Sequence, residues 1–110
     1  MSTVNIREVA QVVRSKNAGP FRLTLDILFK DRDVYERVKR SGAITAATVA
    51  GLYGIPLERV TDFVWFDPGK ALKATLVRSV SSGSAGDTDV YGAQQHAPLL
   101  GIELPREVVG

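Results

Sequence analysis

Cysteine is absent from the chain, and histidine occurs once, at position 96. The first absence excludes disulfides, thiolate nucleophiles and cysteine-bound zinc. The second excludes a His-rich metal centre within one chain, and no metal site is expected. Long apolar runs are missing as well: the longest spans four residues, Phe63 to Phe66. The opening Met-Ser-Thr-Val-Asn lacks a basic region followed by an apolar stretch. Neither a signal peptide nor a membrane span is expected, and the cytoplasm is the default location. Charge of one sign is not in excess either, since 14 Lys and Arg stand against 12 Asp and Glu. That balance lacks the positive stripe of a protein that neutralises several phosphates, so nucleic acid is not an expected partner. No motif calls for a cofactor.

What is present is ordinary globular usage, 45% hydrophobic and 24% charged over 110 residues. That length supports one domain with one core, residues 1 to 110. Charge is unevenly placed: residues 1 to 42 hold nine basic and five acidic groups, and residues 43 to 110 hold five and seven. The asymmetry suits an anionic ligand or partner face, and equally a solvated mixed-charge surface.

The segment from Asn5 to Asn17 places Ile6, Val9, Val12 and Val13 at helical spacing and predicts an amphipathic helix, capped by Asn5 with Glu8 and stopped by Ala18-Gly19-Pro20. From Phe21 to Lys30 the period becomes two, with Phe21, Leu23, Leu25, Ile27 and Phe29 on one face, which predicts a strand. Asp31 caps a second helix that carries Val34, Tyr35 and Val38 and ends before Gly42. A third runs from a Thr45 cap to Gly54. Val60 to Phe66 is aromatic and β-branched, Asp67-Pro68-Gly69-Lys70 has turn chemistry, and Ala71 to Ser79 alternates, which together predict an antiparallel hairpin. The expected fold is α+β: a small antiparallel sheet of about three strands packed with two to three helices. Residues 1 to 79 make that helix and sheet core. Residues 80 to 110 form a long, Gly-rich, partly apolar tail of irregular structure, long enough to be functional or disordered.

Several side chains invite a chemical reading. Arg14, Lys16 and Asn17 concentrate two cations and an amide near Gly19, a corner for a carboxylate or phosphate. Basic residues that offset a helix dipole, with Gly19 as a simple stop, explain the same cluster. His96, downstream of Asp87 and Asp89, has the chemistry of a general acid or base oriented by a carboxylate. A lone histidine in a loop is also an ordinary hydrogen-bonded or interface residue. Asp87-Thr88-Asp89 supplies too few oxygens for Ca²⁺. Ser81 to Gly86 lacks the spacing of a phosphate-cradling loop. Phe63 to Phe66 reads as a ligand-stacking surface or, more blandly, as a buried strand.

Taken together, the segments Arg14 to Phe21, Leu23 to Ile27, Leu52-Tyr53-Gly54-Ile55-Pro56, Phe66-Asp67-Pro68 and Asp89 to Leu100 resemble a domain-of-unknown-function family. Its members are small proteins or domains that accompany AtuA-like, acyclic terpene utilisation, proteins. The resemblance covers roughly residues 4 to 105. It implies a large AtuA-like protein subunit as partner, in catabolism of branched or carboxylated acids or their coenzyme A thioesters. The residues on which motif and chemistry agree are Arg14, Lys16, Asn17 and Gln95 for an anionic small molecule, and Asp89, Tyr91 and His96 for catalytic work.

Three functions follow as expectations. The first is an accessory subunit that brings Tyr91 to Leu100 to an interface or active-site rim. The second is a stand-alone lyase or hydratase with His96 as base and Arg14 as anion clamp. The third is a homo-oligomer, structural or ligand-binding, whose tails exchange between protomers. Whether the chain is itself an enzyme is left open by the residues.

Overall fold

The computed structural model of the chain describes residues 2–19, 21–77 and 96–110. Its centre is an antiparallel four-stranded sheet formed by β2 (Ala10–Asn17), β3 (Arg22–Phe29), β5 (Ala71–Val77) and β4 (Val60–Phe66), in that order. The clearest alternation in the sequence makes a central strand: Leu23, Leu25, Ile27 and Phe29 of β3 are all buried. The matching positions Leu72, Ala74 and Leu76 of β5 are buried beside them. This inner face is covered by two helices, α2 (Arg32–Ser41) and α3 (Ala46–Tyr53).

Both helices begin and end as their caps dictate. The Asp31 side chain accepts from the Asp33 amide, and the chain leaves α2 through Gly42 at φ 73°. Thr45 and Thr48 form a reciprocal capping box at the start of α3, and Gly54 ends it at φ 63°. A left-handed residue at that place lets the cap amide reach back to the last helical carbonyls, a conformation glycine adopts without a Cβ clash.

The segment expected to be one long helix is corrected by the structure. Only a single turn, α1 (Ile6–Val9), is helical, and Ala10–Asn17 is strand β2, paired with β3 from Ala10 opposite Phe29 to Asn17 opposite Leu23. The Asn5 cap holds, accepting from the Arg7 amide. Beyond Val9, the β-branched Val12 and Val13 fit a pleated strand as well as a helix. The strand wins because β3 needs a partner on that side for its backbone donors and acceptors. The Ala18 amide closes the hairpin on the Arg22 carbonyl at 3.0 Å. The sheet therefore has four strands where three were expected.

The end of the chain is also more regular than expected. A 3-10 turn at Ala97–Gly101 leads to β6 (Glu103–Pro105), which pairs antiparallel with β1 (Thr3–Asn5), and to the single turn α4 (Arg106–Val109). Leu99, Ile102 and Leu104 are buried in the same core as the sheet. Arg37 of α2 holds this end by donating from Nε to the Val108 carbonyl and from Nη2 to that of Val109, at 3.1 and 2.7 Å. Among the described residues no helix is long and apolar enough to cross a membrane.

Candidate functional site

The side of the sheet turned away from the helices carries two of the sequence candidates, Arg14 and Lys16. Strand register arranges it in three rows. Val12, Leu28, Ala71 and Phe66 make an apolar row; Arg14, Asp26, Lys73 and Val64 make the middle row; Lys16, Thr24, Thr75 and Asp62 make the third. In the middle row Asp26 accepts from Arg14 Nε at 3.0 Å and from Lys73 Nζ at 3.2 Å. The Asp26 side chain is only 14% exposed, whereas that of Arg14 is 56% exposed. Lys73 Nζ also lies 5.8 Å from the Phe66 ring centroid, within cation–π range. Val64 and Phe66 stay 50% and 45% exposed, so Phe63 to Phe66 is not a wholly buried strand. Its alternate residues Phe63 and Trp65 pack on the core.

A second polar cluster ties α2 to the β4–β5 turn, the 3-10 turn Asp67–Gly69. Asp67 Oδ1 accepts from the Tyr35 hydroxyl at 2.6 Å and from Lys39 Nζ at 2.8 Å. The Asp67 carbonyl accepts from Arg32 Nη2 at 3.0 Å. The Lys39 ammonium first, then the Tyr35 hydroxyl, hold the Asp67 carboxyl below its ordinary range. Burial, with the bond to Asp67 second, pushes the Tyr35 phenol up. Its ring stacks edge-on with Phe29 and Trp65 at centroid distances of 5.7 and 5.8 Å.

A third cluster joins the chain ends. Asn5 Nδ2 donates to the Leu100 carbonyl at 2.9 Å and to Glu103 Oε2 at 2.6 Å, and Thr3 donates to Glu103 Oε1 at 2.8 Å. Asn5 first, then Thr3, keep the Glu103 carboxyl below its ordinary range.

Of the predicted site residues, Arg14, Lys16, Asn17 and His96 are among the described residues. Arg14 and Lys16 share the outer face, but Asn17 follows the opposite phase of β2, with Ser15. The corner they form is the end of a strand, so an offset of a helix dipole is not their role. His96 is half-buried and opens the Ala97–Gly101 turn, with its carbonyl accepting from the Leu99 amide at 2.9 Å. Leu99 of that turn lines a small apolar cavity of about 10 Å³ together with Leu25, Ile27, Val49, Leu72 and Ala74, all on the helical side of the sheet. That volume holds roughly one water molecule and no substrate. Arg14 and the turn opened by His96 thus lie on opposite sides of the sheet. Asp89, Tyr91 and Gln95 lie outside the described residues, as do the Ser81 to Gly86 loop and the Asp87-Thr88-Asp89 run.

Sequence reasoning passed over Asp26, Lys73 and the Tyr35–Asp67 pair. The alternation of β3 and β5 does place Asp26 and Lys73 on one face, but which charges meet depends on register. Tyr35 and Lys39 are four apart on α2 and so share a helix face. Nothing in the sequence brings that face to Asp67.

Residues 6–103 match the family described as Domain of unknown function (DUF4387). The chain belongs to the DUF4387 family. The match takes in the whole four-stranded sheet, both longer helices and the turn that His96 opens. The DUF4387 domain is thus the fold itself, with only α4 and parts of the β1–β6 pair beyond the match. No curated protein and no solved structure gives a significant match.

Proposed function

We infer that this DUF4387 protein is a small accessory subunit, seated on a large AtuA-like protein in catabolism of branched or carboxylated acids or their coenzyme A thioesters. The observation that supports it is the separation of Arg14 from the turn opened by His96 across the sheet. A lyase or hydratase working alone, with Arg14 as clamp and His96 as base, needs both side chains on one substrate. A clamp and a base must both reach one bound substrate, and a clamp on the outer face with the His96 turn packed on the helical side speaks for the subunit reading instead. A subunit carries no such requirement, because each group has only to reach the neighbouring chain. The resemblance to companions of AtuA-like proteins supplies the identity of that neighbour, and His96 is the residue offered to the shared site.

The test is the native mass of the tagged chain purified from its own host. A stoichiometric large subunit is the expected result. A chain that comes out without one, and that turns over a carboxylate substrate by itself, overturns the proposal.

A further inference from the structure

We propose that the outer face of the four-stranded sheet is a self-complementary interface, on which a second copy of this chain docks face to face with its strands nearly aligned. No described element covers this face, and its polar residues are not scattered at random over it. Lys16 stands on the edge strand β2 and Asp62 on the opposite edge strand β4, in the same row. Asp26 and Lys73 occupy adjacent positions on the two central strands, one row away. Val12 and Phe66 stand at opposite ends of the apolar row.

A closed dimer of one face with itself needs a two-fold axis in the plane between the sheets. An axis across the strands, passing over the middle row, sets Asp26 against Asp26 and Lys73 against Lys73, and like charges in contact oppose association. An axis along the strands, between β3 and β5, exchanges left for right within each row. Lys16 of one copy then meets Asp62 of the other, Asp26 meets Lys73, and Phe66 meets Val12, each contact occurring twice. Every charge in these pairs faces its opposite, while Arg14, already paired with Asp26 of its own chain, meets Val64. Aligned packing of two twisted sheets, about 10 Å apart with strands crossing near 30°, accommodates side chains of this size.

Four strands at about 4.8 Å spacing and rows covering some 20 Å of strand give a face of roughly 400 Å² in projection. Tight complexes bury about 800 Å² per partner. The association is therefore weak and concentration-dependent.

Charge reversal tests it, on the full chain, by analytical ultracentrifugation over a range of protein concentrations. Lys16→Asp sets two carboxylates together and Asp62→Lys sets two ammoniums together, so each single variant is expected to dissociate roughly tenfold or more readily. The double variant K16D/D62K restores opposite charges at both contacts and is expected to restore association. Lys16 and Asp62 lie three strand spacings apart in one chain, about 14 Å, so rescue cannot arise within a monomer. Circular dichroism confirms that each variant is folded; both sites are exposed edge positions. A wild-type chain that stays monomeric at all concentrations overturns the proposal, as does self-association indifferent to the single reversals, or single losses without rescue. If instead the reversals release only a large partner protein, the face belongs to that partner, and the dimer is refuted while the accessory-subunit reading stands.

Discussion

The Tyr35 hydroxyl donates to Asp67 Oδ1 at 2.6 Å, from a buried aromatic cluster to a carboxylate at the surface. The bond fastens α2 to the turn between β4 and β5, and so fixes how the helical layer sits on the sheet. Tyr35→Phe keeps the ring and its contacts with Phe29 and Trp65 but removes the donor. We expect its melting temperature to fall by about 5 °C, the loss expected for one hydrogen bond whose acceptor stays open to solvent. Thermal unfolding at neutral pH measures it.

Acid sensitivity follows from two carboxylates. Asp67, held by Lys39 and then Tyr35, and Glu103, held by Asn5 and then Thr3, titrate below their ordinary values of 3.8 and 4.5. A folded-state pKa below the unfolded one means that the unfolded chain binds protons first as pH falls. The stability they contribute is complete above the ordinary values and disappears as pH drops through the lower, folded values. Urea midpoints from pH 7 down to pH 3 should therefore decline below about pH 4.5, and Asp67→Asn with Glu103→Gln should flatten that decline.

The chain end belongs to the core. Leu104 of β6 is fully buried, whereas Leu57 is 53% exposed. Leu104→Ala should cost about 2–5 kcal/mol, the range for emptying a core leucine site. Leu57→Ala should stay within roughly 0.5 kcal/mol. Denaturant unfolding of the two variants compares them, and equal costs would refute the assignment of β6 to the core.

Arg14 and His96 should be separable in function. On the accessory-subunit proposal the isolated chain is expected to show no turnover of its own, with or without Arg14→Ala or His96→Ala. In the complex with a large subunit, His96→Ala should lower kcat by roughly 10²-fold or more, as loss of a general acid or base does. Arg14→Ala should leave kcat near wild type, because its guanidinium is engaged by Asp26 across the sheet from that turn. Steady-state kinetics of the reconstituted complex check both.

How much of this was legible in the residues differs from element to element. The alternation from Leu23 to Phe29, the Asp31 and Thr45 caps, the glycines that end both helices and the turn after Phe66 are local signals. Each acts within a few residues, through side-chain period or capping hydrogen bonds, and each element formed where those signals put it. The same local reading failed for Ala10–Asn17, because Val12 and Val13 satisfy a helical and an extended spacing alike.

What the sequence by itself determined is therefore the set of elements whose hydrogen bonds and apolar faces are settled by near neighbours: β3, α2, α3 and the β4–β5 hairpin. Only the tertiary structure decided that β2 is a strand, because an unpaired edge of β3 needs a partner and pairing is a long-range contact. It alone decided that Glu103–Pro105 returns to pair with Thr3–Asn5, at the far end of the chain. Register across four strands, which no single segment encodes, placed Asp26 between Arg14 and Lys73 and put Arg14 on the side of the sheet away from the turn that His96 opens.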